Sequence, residues 1–488
     1  MSTVQAQEQQ LLIGGEWVSA DGGRTFEKDD PFTHEPATIA AAAGVEDANR
    51  AVEATAAAFP EWSAMEPSKR AELLTAAADL LTERAPEIAQ TMTEECGAVF
   101  GWGMFNCDLA AGMLRAAAAQ AGLPGTDDIP SQVPGLKAMG VRQPVGVVVG
   151  IAPWNAPVIL ATRAVATPLA YGNTVVLKAS EECPRTHAAV AAAINDAGVA
   201  PGVINLLTNA PDDAAAVVEA LIAHPEVRRV NFTGSTKVGR IIAAKAAEHL
   251  KRTLLELGGK APMVVLADAD LDEAVNAAGF GAFMNSGQIC MSTERVVIDK
   301  SIADEFGEKL AAKAASLPYG DPRDQGTAIG PVINSAAVER IGELLEDAKS
   351  KGARVLAGGD VEGSVVQPTV LAGVTPEMDV YYQESFGPIA CIVEVDNVDE
   401  AVAVANDTEY GLAAAVFSRD VDAAMDVARR IDSGICHING STVHDEPQMP
   451  FGGVKGSGWG RFGAEAALQE FTELRWISVQ EGERHYPI

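Results

Sequence analysis

Between residues 147 and 249, short apolar runs alternate with amphipathic ones, and this alternation restricts the fold more than any other feature of the 488-residue chain. Residues 147–151, 174–177, 203–207 and 229–232 are rich in Val, Ile and Leu and predict strands. Residues 156–170, 186–197, 214–223 and 238–249 lie between them at helical spacing. Strands separated by helices of this length require crossover connections, hence βαβ units and a parallel sheet. A second alternating series follows, with strands at 263–266, 295–298 and 389–395. Its helices fall at 271–283, 302–315, 336–351 and 398–406.

The flanks carry less chemistry. Residues 11–18 predict a strand broken by a Gly-Gly turn, and helical patterns run through 46–59, from Pro67, and over 87–95 and 105–121. On a helix Trp102, Phe105 and Leu109 share one face. Residues 122–135 are a Pro/Gly/Asp-rich break, and 473–480 predict a lone C-terminal strand that needs a partner.

The net charge of −31 opposes binding to nucleic acid or to an anionic membrane. The first ten residues are polar and show neither a basic n-region nor an apolar h-region, so no secretory signal is expected. The most apolar region, 145–165, contains Pro153, Asn155, Pro157 and Arg163, which predicts a buried strand and helix instead of a membrane span. Six cysteines without CxxC or CxxH spacing suggest neither zinc nor a disulfide framework; reduced thiols in a cytoplasmic protein fit best.

Chemistry concentrates in four stretches. In NSGQIC, Cys290 follows a small-residue helical segment and precedes a strand, a position from which a thiol can face a pocket. Taken alone it reads as a core cysteine, and the three stretches that follow are what change that reading. PWNAP places Asn155 at a strand-to-helix turn. FTGSTKVG places Gly234 and Ser235 at a helix start, where backbone N–H groups and the helix dipole suit a pyrophosphate. A plain N-cap is the other reading of that turn. LELGGK places Glu256 between leucines, where burial raises a carboxyl pKa toward that of a general base. An ion pair with Lys260 is the other reading of Glu256.

Together these stretches resemble the NAD(P)-dependent aldehyde dehydrogenase superfamily over nearly the whole chain. The resemblance implies an α/β fold. A Rossmann-like parallel-sheet NAD-binding domain would span 1–125 and 143–255, and a second α/β catalytic domain 256–440. Residues 441–471 would return along the cofactor domain and substrate tunnel, and 126–142 with 472–488 would form a small β oligomerisation segment. A homodimer or homotetramer is expected. The resemblance makes Cys290 the nucleophile, Asn155 with the Cys290 N–H the oxyanion donors, and Glu256 the base that hydrolyses a thioester. It assigns the cofactor to Trp154, Lys178, Glu181, Gly234, Ser235, Leu257, Glu384 and Phe386. Glu181 would favour NAD by repelling a 2′-phosphate, while Lys178 argues the other way. Glu465 would be a proton relay.

The runs GQICMSTERVVID and YYQESFGPI and the late run INGSTVHDEPQMPFGGVKGSGWGRFG are most similar to the salicylaldehyde and vanillin dehydrogenase branch. An aromatic aldehyde is therefore the expected substrate, walled by Trp102, Ala156, Ile289 and Phe451, with Arg163 meeting a ring hydroxyl. Ala156 is small where many relatives carry a bulky aromatic. An aliphatic aldehyde or succinic semialdehyde, its distal carboxylate on Arg163, is the second reading, and a simple salt bridge is the other account of Arg163. A catalytically silent binding protein on the same fold stays open as a different class, although Asn155, Glu256 and Cys290 are all intact. Glu256 opposes a CoA-acylating enzyme.

Overall fold

The structure is a computed structural model that describes residues 6–463 and 465–488. Part of the polar N-terminal stretch, residues 1–5, lies outside the described residues.

Three sheets organise the chain. The first has eight strands in the order Gly458–Trp459, Arg252–Glu256, Val227–Thr233, Val147–Ile151, Thr174–Lys178, Ile204–Leu207, Leu11–Ile13 and Glu16–Val18. Its five central strands, from Arg252–Glu256 to Ile204–Leu207, are parallel. Val147–Ile151 and Thr174–Lys178 are buried along their whole length, as strands covered by helices on both faces must be. The covering helices start at proline: Pro157–Ala170 and Pro184–Asp196 both place it in the first turn, where its missing N–H costs nothing.

The second sheet has seven strands, from Arg354–Ala357 through Thr369–Ala372, Ile389–Val395, Thr293–Asp299, Ala261–Val265 and Ala413–Phe417 to Ile435–Ile438. All its pairings are parallel except that of Arg354–Ala357. The third sheet is antiparallel, with Leu136–Pro144 between Thr126–Ile129 and Thr472–Gln480. The lone C-terminal strand thus finds its partner within its own chain, in register from Thr472 opposite Pro144 to Gln480 opposite Leu136. Leu474, Trp476 and Val479 of that strand remain exposed, Trp476 by 72%.

Several strands lack a sequence signal. Thr25–Asp29 and Pro36–Ala41 form a small sheet with Gln7–Gln9. Ala413–Phe417 is AAAVF, an alanine run that reads as helix, yet it is buried on both faces between two strands. Tertiary context overrides propensity there. Among the described residues, no helix is long and apolar enough to cross a membrane.

Ligands of parallel sheets bind beyond the carboxyl ends of the strands. In the first sheet Ile151 leads into Trp154 and Asn155, Lys178 into Glu181, and Thr233 into Gly234. Glu256 ends its own strand.

Candidate active site

Main-chain contacts locate Cys290. The helix Leu271–Phe283 ends in a tight turn in which Asn285, Ser286 and Gly287 all take left-handed backbone angles, φ 50°, 55° and 71°. A Cβ on Gly287 would lie 2.0 Å from the Gly387 carbonyl oxygen, and one on Gly259 would lie 2.2 Å from that of Cys290. Only glycine permits these approaches. They press NSGQIC against both the ESFGP and the LELGGK stretches. Cys290 is half-buried at the floor of the resulting cleft. Burial, and then the Glu256 carboxylate, hold its thiol well above the usual cysteine range.

Asn155 stands on the opposite wall, nearly buried. Its Nδ2 donates to the Gln288 carbonyl at 3.0 Å. Its own carbonyl accepts from Trp102 Nε1 at 3.2 Å and from Asn285 Nδ2 at 2.9 Å. A side-chain amide has two N–H bonds, and only one of Asn155's is directed at Gln288.

Glu256 is fully buried, and among the described residues its carboxylate oxygens meet no hydrogen-bond donor other than the facing Cys290 thiol. Burial pushes its carboxyl up to about 7. The Arg163 charge and the facing Cys290 thiol pull it down, and Asp445 pushes it up. The ion pair with Lys260 that the sequence allowed is absent, because Lys260 Nζ binds Glu294 Oε2 at 2.7 Å.

Cys290, Asn155 and Glu256 border one cavity of about 710 Å³, which also touches Trp154, Gly234, Ser235, Glu384 and Phe386. That volume is in the range of cofactor sites. Ser235 caps the helix Thr236–Glu248 by accepting from Val238 N, so the capping reading of this turn is correct. The N–H groups of Thr236 and Lys237 have no acceptor within the helix and face the dipole's positive end. Gly234 departs from expectation: its N–H donates to the Glu256 carbonyl at 3.0 Å and is not free for a phosphate. Its lack of a Cβ makes room for the Phe232 ring, 2.4 Å from where that atom would stand.

Glu384 is pushed up to about 8 by burial, although its Oε1 accepts from Gly259 N at 3.1 Å. Phe386 meets Trp154 edge to face, with ring centroids 5.7 Å apart. Lys178 and Glu181 pair with each other, and Asn209 Nδ2 donates to Glu181 at 2.8 Å; neither Lys178 nor Glu181 borders the cavity. Leu257 is buried, and its N–H donates to the Ser457 carbonyl.

The residues expected around the substrate divide. Trp102, Ala156 and Ile289 are buried in one apolar cluster with Phe451. Phe105 stacks on Trp102 at 5.4 Å but is exposed. Arg163 is not a free cation. It pairs with Asp445, and its guanidinium lies 4.0 Å over the Phe451 ring, so the salt-bridge reading holds, with a buried partner. Glu465 is exposed, its charge acts on Tyr171, and it does not border the cavity.

Reading the sequence missed Gln288, Asn285 and Asp445. The first two lie inside the quoted NSGQIC stretch, and their amides were the available signal. Asp445 had none, because its partner is 282 positions away.

A profile of the aldehyde dehydrogenase family matches residues 17–477. The chain is 58% identical to a vanillin dehydrogenase of Pseudomonas sp. (strain HR199 / DSM 7063), covering 98% of this chain and 99% of that one. It is 45% identical to a salicylaldehyde dehydrogenase of Pseudomonas putida, again over 98% and 99%. The crystal structure of a salicylaldehyde dehydrogenase from Pseudomonas putida G7 complexed with salicylaldehyde superposes with a TM-score of 0.97 at 44% identity, covering 99% of this chain and all of that one. A thiol, an amide donor and a buried carboxyl on one cleft, in a chain so matched from end to end, lead to one conclusion: the chain belongs to the aldehyde dehydrogenase family.

Proposed function

We propose that the protein oxidises an aromatic aldehyde of the vanillin, salicylaldehyde or benzaldehyde type to its carboxylic acid. The observation that carries the chemistry is the convergence of Cys290, Asn155 and Glu256 on one cavity beside an open helix N-terminus. The Cys290 thiol gives up its proton to water as its sulfur adds to the aldehyde carbon. Negative charge grows on the oxygen, where the free Asn155 N–H and the Cys290 backbone N–H stabilise it. A bound nicotinamide dinucleotide supplies the hydride acceptor. Loss of hydride from the carbon leaves a thioester on Cys290. Glu256 takes a proton from water, which attacks the thioester carbon; the acid leaves and the thiol is restored.

The family uses NAD(P). The donors at Thr236 and Lys237, the Ser235 hydroxyl, the Glu384 carboxylate and the Trp154–Phe386 pair suit a pyrophosphate, a ribose and a flat ring. We assign NAD as the preferred form, because Glu181, pinned by Lys178 and Asn209, opposes a further phosphate. In this reading 1–125 and 143–255 hold the cofactor, 256–440 carry the thiol, and 441–471 close the tunnel. The exposed face of Thr472–Gln480, in the 126–142 and 472–488 segment, meets a second copy in a homodimer or homotetramer. A cytoplasmic location agrees with six free thiols.

The aromatic assignment rests on the named relatives and on the apolar surroundings of Ala156. NADH formation with benzaldehyde, vanillin, salicylaldehyde, propanal and succinic semialdehyde tests it. Aromatic substrates should show the highest kcat/KM; a preference for succinic semialdehyde over benzaldehyde would reject the assignment.

A further inference from the structure

Lys260 and Glu294 form an ion pair buried on both sides, with side chains 0% and 4% exposed and Nζ 2.7 Å from Oε2. Such a pair stabilises a fold little by itself, because the cost of taking two charges out of water offsets their attraction. Its position explains more than its energy does. The strands Ala261–Val265 and Thr293–Asp299 pair in parallel, with Ala261 opposite Thr293 but Pro262 opposite Arg295. Glu294 is thus the extra residue of a β-bulge, a device that re-aims one side chain out of the alternating pattern.

The re-aimed carboxylate reaches the ESFGP turn. Its Oε1 accepts from Ser385 N at 2.9 Å and from Phe386 N at 3.2 Å, while Lys260 holds the other oxygen. Two successive N–H groups that converge on one anion form a backbone nest. Phe386 needs this support. Its φ is 45°, a left-handed angle that a bulky residue keeps only where its surroundings impose it. Glu384 and Phe386 border the large cavity, and Ser385 between them is fully buried. Arg340 Nη1 donates to the Glu384 carbonyl at 2.8 Å and fixes the start of the turn. Neither Lys260 nor Glu294 borders the cavity, so both reach it through the turn.

We infer that Glu294, braced by Lys260, is a positioning residue. It holds the Ser385–Phe386 backbone in its strained form, and so keeps the Phe386 ring and the Glu384 carboxylate in the conformation that receives the nicotinamide riboside. This inference rests on the dehydrogenase reading above.

Two double variants separate the acceptor from the charge. Both carry Lys260→Met, so that no buried cation is left unpaired. One adds Glu294→Gln, whose amide oxygen still accepts from both N–H groups; the other adds Glu294→Met, which offers no such acceptor. In the cofactor-free enzymes, hydrogen exchange at Ser385 and Phe386 should be about 10- to 100-fold faster with Met than with Gln. In a single turnover at saturating cofactor, with the aldehyde that the wild type oxidises fastest, NADH should form about 10- to 100-fold more slowly with Met than with Gln. Hydrolysis of 4-nitrophenyl acetate, which acylates Cys290 with no hydride step, should run at similar rates in both. Glu294→Asp withdraws the acceptor by one methylene and keeps both charges. It serves if a double variant does not fold, as judged by thermal unfolding, and should speed exchange and slow NADH formation while sparing ester hydrolysis. Equal exchange or equal NADH formation in the Gln and Met variants, or wild-type values in Glu294→Asp, would overturn the inference and leave aldehyde oxidation standing. A parallel fall in ester hydrolysis would do the same, because it marks a general distortion of the site. A wild type that reduces no nicotinamide cofactor with any aldehyde would overturn both.

Discussion

The Asn155 side-chain amide donates to the Gln288 carbonyl, two residues before Cys290, at 3.0 Å. The proposed oxyanion donor is therefore held by the segment that carries Cys290, and Asn285 returns a bond to the Asn155 carbonyl at 2.9 Å. Asn155→Ala should lower kcat by about 10²- to 10³-fold, the usual effect of losing one such donor. It should also cost about 1–2 kcal/mol of stability, because the Gln288 carbonyl loses its partner. Steady-state kinetics and urea unfolding read the two effects separately.

Cys290→Ala should abolish NADH formation while cofactor binding, followed by calorimetric titration, stays close to that of the wild type. No other cysteine offers a substitute: Cys96, Cys107, Cys183 and Cys391 are buried, and Cys436 lies on the far edge strand of the second sheet. Retained turnover would place the nucleophile elsewhere.

Glu256→Gln should slow thioester hydrolysis more than hydride transfer. Rapid mixing should then show a burst of about one NADH per site, followed by a slow phase. In the wild type, hydrolysis needs the ionised carboxylate, so kcat limited by this step should rise with pH through about 7 and then level off. Equal loss in both phases of the variant would mean that Glu256 also activates Cys290.

The same carboxyl makes stability depend on pH. Its folded pKa of about 7 lies above the ordinary glutamate value of 4.5. Between those values the folded chain holds a proton that the unfolded chain has released, so stability falls as pH rises through that window and the loss is complete above about pH 7. The shift corresponds to about 3 kcal/mol. Glu256→Gln should therefore match the wild type near pH 4.5 and exceed it by up to that amount at pH 8, as measured by urea unfolding at both pH values. A gap independent of pH would show that the carboxyl is already ionised in the folded state.

Removing the negative charge at Glu181 should narrow the preference for NAD over NADP. Glu181→Gln is expected to raise relative kcat/KM for NADP on the order of tenfold, as for one unit charge a few ångströms away in a partly solvated site. A wild type that prefers NADP would show that Lys178 dominates the ribose site.

Much of this was legible in the sequence, for reasons that differ by residue. The strand–helix alternation exposed the middle of the first sheet because Val147–Ile151, Thr174–Lys178 and Ile204–Leu207 are buried along their whole length and are rich in Val, Ile and Leu. Helix Val398–Asn406 fell where its spacing put it, and the structure adds an Asn397 cap that accepts from Glu400 N. Ala413–Phe417 escaped because alanine carries no strand signal of its own. The site separates in the same manner. Cys290, Asn155 and Glu256 sit in short contiguous stretches, so local context revealed them. The Arg163–Asp445 pair joins residues 282 positions apart and needed the fold to show it. That the Gly234 N–H is already bonded to the Glu256 carbonyl cannot be seen in a string of letters.

The glycine contacts around Cys290 have a mechanical consequence. Gly287 lies on Gly387, and Gly259 on Cys290, backbone against backbone. Three segments distant in sequence are registered to one another with no rotatable side chain between them. Such a joint has little slack: a side chain can absorb a neighbour's displacement by changing rotamer, but two abutting peptide planes pass it on. A displacement of about 1 Å at a reacting atom can cost about a hundredfold in rate. An added methyl group at Gly259 or Gly287 would thus act as a shim, shifting sulfur, amide and carboxyl relative to one another before it loosened the fold as a whole.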